Sequence, residues 1–303
     1  MNAFAQTYRQ AGKIEEQHIA LQFLRAICSG NAKEAAACFS GKSVCENEPD
    51  IYAPNGNAAG NEQIIRFSSS WLTDFEADTA TVLPITQIVN GLRSISEVII
   101  CFNCGSVLRE MPMAVAAETD MDGKIVHLRL YFHHLWCKKA LPYRAPLFVP
   151  TNNAPADVNR LCGVVKPYFE ALHSGERGKA VSAILSLAEE NICFGGYKPP
   201  EVGPIGRGLA YMRKEYELIC SEIPHEQIIR IETVTDNGQI CAVEWVSIVT
   251  RLGLEKGIVS QSGIAMYERS PKGKLAAVRI CDNLRFEHKI DRAHTNIINY
   301  IAK

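Results

Sequence analysis

Two stretches decide the fold: "FLRAICSGNA", residues 23–32, and "YFEALHSGER", residues 168–177. Each begins with an aromatic residue, continues with apolar residues at helical spacing and ends at Ser-Gly. An apolar seam that ends at a glycine predicts an amphipathic helix. Because the same helix ending is written twice, the sequence predicts two copies of one domain rather than a short repeat.

The same order of signals follows each of these helices. A short extended piece comes next, "KSVCENE" at 42–48 and "ENICFGG" at 190–196, and then a second helix, "GNEQIIRFSSSWL" and "GRGLAYMRKEYEL". Three longer alternating strands close each copy, with Asp-Gly-Lys and Lys-Gly-Lys tips that are typical of hairpins. Helices followed by a meander of strands predict an α+β class with a curved antiparallel sheet.

A proline-rich stretch separates the two copies. "KKALPYRAPLFVPTNNAPADVN" begins at residue 138 and carries four of the 14 prolines of the chain. Proline fixes the backbone and removes a hydrogen-bond donor, so this stretch is typical of a linker. We therefore expect one domain at 1–140, a linker at 141–157 and a second domain with a C-terminal tail at 158–303.

The composition is that of a globular protein. Hydrophobic residues make up 47% of the 303 positions, charged residues 21%, and the formal net charge is -1. Such a charge gives no basic field for nucleic acid or an anionic membrane, so neither is expected as a partner. No signal-like segment and no apolar run of about 18 residues occurs, which predicts a cytoplasmic protein without a membrane span.

The cysteines do not predict a metal site. There are 11, and they are dispersed among apolar neighbours, as expected of reduced and buried thiols. "CFNC" at 101–104 has a zinc-like spacing, but residues three apart in a strand point to opposite faces. We therefore expect neither a metal nor a cofactor.

The order of elements, with the motifs aromatic-x-x-Ala-Ile/Leu-x-Ser-Gly and Gly-Lys-Ile/Leu, resembles a known family. Both copies are similar to the nuclear-transport-factor-2-like superfamily, in its SnoaL-like and ketosteroid isomerase-like branch. The resemblance implies tandem cone-shaped domains, each with N-terminal helices and a curved sheet that enclose a pocket. The superfamily includes isomerases, cyclases, dehydratases, epoxide hydrolases and proteins without catalysis, so fold alone does not give the activity.

Alternation sorts the last strand of the first copy, "IVHLRLYFHH", into two faces. The apolar face faces the interior and consists of Val126, Leu128, Leu130 and Phe132. The opposite face carries His127, Arg129, Tyr131 and His133. We expect this polar stripe to be the surface through which the two domains pack, with a catalytic histidine pair or a solvated face as alternatives.

Candidate pocket residues lie on corresponding elements of the two copies. In the second copy, Tyr168 would donate a hydrogen bond, Trp245 and Ser247 would line the pocket, and Asp282 falls on the apolar face of the last strand. Burial would bring Asp282 toward the range of an acid or base, unless it only caps a turn. In the first copy the candidates are Glu46 and Asn103, with Cys101 beside them. The alternatives are core filling for the aromatic residues and a solvated loop for Glu46.

Neither copy holds a complete catalytic set of the family it resembles. Ketosteroid isomerase uses an aspartate base beside an oxyanion hole of tyrosine and protonated aspartate. Tyr168 matches the tyrosine, whereas Glu46 or Phe194 stands at the base, and Val115 or Ala265 at the protonated aspartate. The Arg-x-Asp template of limonene epoxide hydrolase is absent as well.

Two hypotheses therefore stay open. In the first, the protein binds a small, mostly apolar or aromatic molecule and acts as a cofactor-independent isomerase, cyclase or dehydratase through general acid-base catalysis. In the second, it is a non-catalytic ligand-binding or interaction module of the same fold.

Overall fold

In the computed structural model the chain divides into two compact units, residues 1–142 with 197–202 and residues 143–196 with 203–303. The structure describes residues 14–41, 48–133, 136–137, 158–172, 177–197, 205–222, 227–251 and 257–281. The predicted linker lies outside the described residues. No helix among the described residues has the length and apolarity needed to cross a bilayer.

Helices precede the sheet in the first unit. Helix α1 begins after His18, whose Nδ1 accepts from the Ala20 N–H, and ends at Ser29 before Gly30, which has a φ of 74°. A left-handed residue of this kind is the usual stop for a helix, and glycine adopts it without strain. The predicted helix stop is therefore confirmed. The elements are α1 (Ile19–Cys28), α2 (Ala32–Ala37), β1 (Asp50–Ala53), β2 (Gly56–Ala59), α3 (Gly60–Asp74), β3 (Thr79–Asn90), β4 (Arg93–Cys104), β5 (Val107–Thr119) and β6 (Ile125–Tyr131).

The second unit repeats this order. A 3-10 turn (Val158–Arg160) leads into α4 (Val165–Leu172), α5 (Arg177–Ser186), β7 (Ala188–Gly196), β8 (Gly206–Arg207), α6 (Leu209–Glu222), β9 (Gln227–Asp236), β10 (Ile240–Arg251), β11 (Gly257–Arg269) and β12 (Leu275–Cys281). Each unit is thus helices plus a six-stranded sheet, and the predicted α+β class with two tandem domains is confirmed.

Strand order is identical in the two sheets. It is β2-β1-β6-β5-β4-β3 in the first unit and β8-β7-β12-β11-β10-β9 in the second. The long strands of each meander pair antiparallel, as predicted, whereas the pairing of β1 with β6 and of β7 with β12 is parallel, which the prediction did not include. No hairpin joins these strands, so no tight turn imposes an antiparallel pairing on them. Both sheets are open and mixed.

Buried contacts recur at matching places in the two sheets. Thr86 Oγ1 donates to Glu97 Oε2 at 2.5 Å, and Thr233 Oγ1 donates to Glu244 Oε2 at 2.6 Å. Both pairs join the first long strand of a sheet to the second. The interval between matching residues of these strands is therefore 147 positions, from 86 to 233 and from 97 to 244.

The interior of the first unit is lined by aromatic and aliphatic side chains. Trp71 from α3 and Phe75, which follows that helix, lie 4.7 Å apart by ring centroid, and Phe75 stacks on Phe102 at the same distance. Leu128, Leu130 and Phe132 join this core, as the alternation of the last strand predicted. On the opposite face Arg129, Tyr131 and His133 are buried and His127 is half-buried. Domain packing through this stripe stays a prediction.

Candidate functional site

The predicted site residues are unevenly covered by the structure. Glu46 and Asp282 lie outside the described residues, and Ser247 lies in β10 with its side chain outside the described part. Their predicted roles therefore stay predictions. Asn103, Tyr168 and Trp245 are described.

Asn103 lies apart from the interior of the first unit. It is exposed near the end of β4, next to the buried Phe102 that faces the core, and its Nδ2 donates to Thr79 Oγ1 at 2.8 Å. Neighbouring residues of a strand point to opposite faces. The structure thus does not bring Asn103 together with the interior side chains.

Tyr168 lies at the centre of an aromatic cluster in the second unit. The buried face of α4 consists of Val165, Tyr168 and Phe169, and only 1% of Tyr168 is exposed. Its ring centroid lies 5.0 Å from that of Tyr267 on β11 and 6.1 Å from that of Tyr216 on α6. We call Tyr168, Tyr216 and Tyr267 the tyrosine cluster.

A hydroxyl–hydroxyl hydrogen bond joins two members of this cluster. The Tyr168 and Tyr216 hydroxyls are directly bonded, and both side chains are buried. A phenolic hydroxyl has one proton and two lone pairs, so it can both donate and accept a hydrogen bond. Phe194 on β7 packs against Tyr216 with centroids 5.0 Å apart and encloses the pair in apolar surroundings.

Trp245 is held on the interior side of β10 by its neighbour on the next strand. Cys241 and Val243 on the same strand belong to the core, and Trp245 packs against that core half-buried. It pairs with Gly263 on β11, where a Cβ atom would overlap the indole. Only a glycine leaves room for the ring to lie across the neighbouring strand.

A described carboxylate in the same register position as Tyr267, two strands away, is tied into an ion pair. Asp236 lies opposite Cys241, which lies opposite Tyr267. Burial alone would raise the pKa of Asp236, but the Arg269 guanidinium outweighs it and lowers that pKa. Asp236 also accepts from the Cys162 thiol at 3.2 Å, which raises the thiol's pKa. A carboxylate held in its charged form in this way is structural rather than a proton carrier.

Sequence reasoning found Tyr168 and missed its two partners. Comparison of the copies could have found them, because the tyrosines occur in one copy alone. Gly60, the first residue of α3, and Gly208, the residue before α6, both have positive φ. Ser68 lies eight positions after Gly60, and Tyr216 lies eight positions after Gly208. Ala117 matches Tyr267, because Ser94 lies opposite Ala117 as its counterpart Cys241 lies opposite Tyr267. The first unit thus carries Phe23, Ser68 and Ala117 where the second carries the tyrosine cluster. Within the described residues, no group of three or more His, Cys, Asp or Glu side chains is placed to hold a metal ion.

Comparisons with known proteins concern the fold. No protein-family model and no curated protein matches the chain. Among solved structures, the chain is similar to an epoxide hydrolase/cyclase-like enzyme of pyran ring formation in the polyether salinomycin, at 20% identity over 39% of this chain and 87% of that one, with a TM-score of 0.32. A ketosteroid isomerase-like protein from Catenulispora acidiphila, in complex with trimethylamine, is 16% identical over 38% of this chain and 85% of its own, with a TM-score of 0.32.

An NTF2-like protein of unknown function from Exiguobacterium is 13% identical over 39% of this chain and 97% of its own, again with a TM-score of 0.32. The likeness is one of fold alone and says nothing of activity.

Proposed function

We propose that the second unit binds a small, mostly apolar ring compound with a carbonyl or enol oxygen and promotes proton transfer on it. The hydrogen bond between the buried Tyr168 and Tyr216 hydroxyls carries this proposal. Small-molecule sites are mostly apolar with a few well-placed polar groups. The tyrosine cluster and Trp245 have this composition.

The hydroxyl pair would act on the oxygen of the bound compound. When a proton leaves the carbon beside a carbonyl, negative charge develops on the oxygen, and a donor already in position stabilises that charge. One phenol donates to the ligand while its partner donates to it, and hydrogen bonds in such a chain strengthen one another in apolar surroundings. Isomerisation, cyclisation and dehydration can all begin with this step.

The proton itself needs an acid or base. We propose Asp282 for this role, because it follows β12 directly in the sequence, where alternation predicts it on the same face as the core residue Val278. Asp236 does not serve this purpose, since Arg269 holds it in an ion pair. Trp245 would provide a flat wall against which a ring can stack.

Binding without catalysis is a second candidate function, and the residues of the first unit favour it for that unit. Phe23, Ser68 and Ala117 stand at the positions of the tyrosine cluster, so the first unit lacks the hydroxyl pair. We propose that only the second unit carries out proton transfer.

Binding can be tested with substituted phenols, whose anions resemble the charged oxygen of an enolate. We expect Tyr168→Phe and Tyr216→Phe each to weaken binding of the phenolate form by about 10-fold to 100-fold, because a hydrogen bond to a charged group contributes about 1.5–3 kcal/mol. Quenching of Trp245 fluorescence in a variant lacking the other two tryptophans would measure affinity. Tyr211→Phe on the same helix is the matched control, because Tyr211 is half-buried at the edge of the core.

Catalysis is tested separately by proton-deuterium exchange at the carbon beside the carbonyl of a cyclic ketone, followed by NMR. We expect exchange in the wild type, and loss of it in Asp282→Asn with phenol binding retained. Phenol binding without any exchange in the wild type would support the non-catalytic candidate. If both tyrosine variants bind phenols as the wild type does, the assignment of the hydroxyl pair is wrong.

A further inference from the structure

Four charged residues lie in one row across the sheet of the first unit. Asp50 on β1 is opposite His127 on β6, His127 is opposite Glu118 on β5, and Glu118 is opposite Arg93 on β4. Side chains directly opposite one another on neighbouring strands are close enough to interact. The charges therefore alternate in sign across four strands when His127 is protonated.

Contacts are formed along the row. His127 Nδ1 lies 3.0 Å from Asp50 Oδ1, and Glu118 Oε1 accepts from Arg93 Nη2 at 3.1 Å. Arg129, beside the row on β6, donates to the same Glu118 oxygen at 2.9 Å. His127 is thus surrounded by the carboxylates of Asp50 and Glu118 and the guanidinium of Arg129.

Groups near His127 whose pKa is shifted away from neutrality do not change their protonation state over the neutral range. Burial alone would raise the pKa of Glu118, but Arg129 and Arg93 lower it to about 2. Burial, with a smaller effect of Asp50, raises the pKa of Tyr52 on β1 to about 12. The hydrogen bond to Asp50 raises the pKa of His127, and the imidazole is the side chain that titrates near neutrality.

The His127 contact holds an edge of the sheet. Strand β1 pairs with β6 at three positions only, Asp50 to Tyr52, and β2 beyond it is the outermost strand. Helix α3 begins at the residue that follows β2, and its buried face covers the core with Ile64 and Trp71. Movement of the β1–β2 hairpin would therefore change access to the interior of the first unit.

The second unit does not repeat this row at the matching positions. At the corresponding register of β7 and β12, Cys193 lies opposite Ala277, so the acid–imidazole pair is replaced there by two uncharged side chains. The Glu–Arg part is kept, as Glu268 with Arg279. The acid–imidazole pair is thus a feature of one unit, and the other unit is an internal control.

We propose that the Asp50–His127 pair is a proton-operated latch that fastens the β1–β2 hairpin to the sheet of the first unit. With His127 protonated, the ion pair holds β1 against β6. When the proton leaves, the ion pair becomes a weaker hydrogen bond between a neutral imidazole and the Asp50 carboxylate, the hairpin opens more often and the interior becomes accessible at its edge. This regulation is independent of the chemistry proposed for the second unit.

Hydrogen exchange measured by mass spectrometry tests the latch. Protection factors for residues 50–59, corrected for the intrinsic exchange rate, are compared at about pH 5.5 and about pH 8.5, on either side of the imidazole transition. We expect a severalfold loss of protection at the higher pH. Residues 188–196 of β7, the matched edge strand, should keep the same protection at both.

Two variants and one titration complete the test. Asp50→Asn and His127→Gln should give the low, open-state protection at both pH values, because neither can form the ion pair. Because a variant could fail to fold, NMR titration of His127 in the wild type is measured as well and should show a raised pKa. Equal protection of 50–59 at both pH values in the wild type, or an imidazole that titrates at or below its ordinary value, would overturn the proposal.

Discussion

Glu118→Gln should destabilise the first unit by a defined amount. One oxygen of Glu118 accepts from both Arg93 and Arg129, and the exposed fractions of the three side chains are 26%, 30% and 5%. Glutamine keeps the shape of the side chain but removes the negative charge. Arg129 is then left buried with a neutral partner, which is costly.

The magnitude follows from the pKa of Glu118. A fall from 4.5 to about 2 on folding corresponds to about 3 kcal/mol of stability that the ionised group contributes at neutral pH. The folded-state pKa is lowered, so the contribution is present above about pH 4.5 and is lost as the pH falls toward about 2. The difference between wild type and variant should therefore be constant near neutrality and shrink in acid.

The assay is urea unfolding in a Trp245→Phe background. The remaining tryptophans, Trp71 and Trp136, belong to the first unit, so fluorescence follows that unit alone. Glu62→Gln is the matched control, because its pair with Arg66 is 72% and 81% exposed and such pairs contribute about 0.5 kcal/mol or less. A Glu118→Gln loss as small as that of the control, or a loss that grows in acid, would refute the reasoning.

Two further predictions concern the second unit. Gly263→Ala should displace the Trp245 indole and destabilise the unit by about 1–3 kcal/mol, as overpacking does; an unchanged emission spectrum and unfolding midpoint would contradict the contact. Asp236→Asn should speed alkylation of Cys162, the exposed cysteine among those described, because the negative charge that raises its thiol pKa is gone while Arg269 remains. Alkylation monitored by mass spectrometry at fixed pH should rise severalfold, and an unchanged rate would show that Asp236 does not control the thiol.

The sequence predicted the local features of the fold well. The helix stop at Gly30 and the hairpin tip at Gly123 depend on a few adjacent residues, and both glycines have positive φ in the structure. The parallel pairing of β1 with β6 was missed because it joins segments far apart in the chain, where no turn residue fixes direction. Alternation along β6 correctly assigned Leu130 and the following Phe132 to the core, because burial of one face determines which side chains of a strand point inward.

The candidate site was harder to predict. Asn103 and Trp245 were predicted on corresponding elements of the two copies and are 142 positions apart, whereas matching residues of these strands are 147 positions apart in the structure. The difference of five residues is odd, and an odd shift along a strand exchanges its two faces. Tyr216 and Tyr267 were missed because their meeting with Tyr168 is a result of packing among three elements, which no single stretch of sequence records.

The parallel pairing of β1 with β6 has a consequence for synthesis on the ribosome. Asp50 and its partner His127 are 77 residues apart, and strands β2 to β5 lie between them in the chain. The β1–β2 hairpin therefore leaves the exit tunnel long before the strand that it pairs with has been translated. Contacts of such separation form late, so the nascent hairpin has one unpaired edge until β6 has been made.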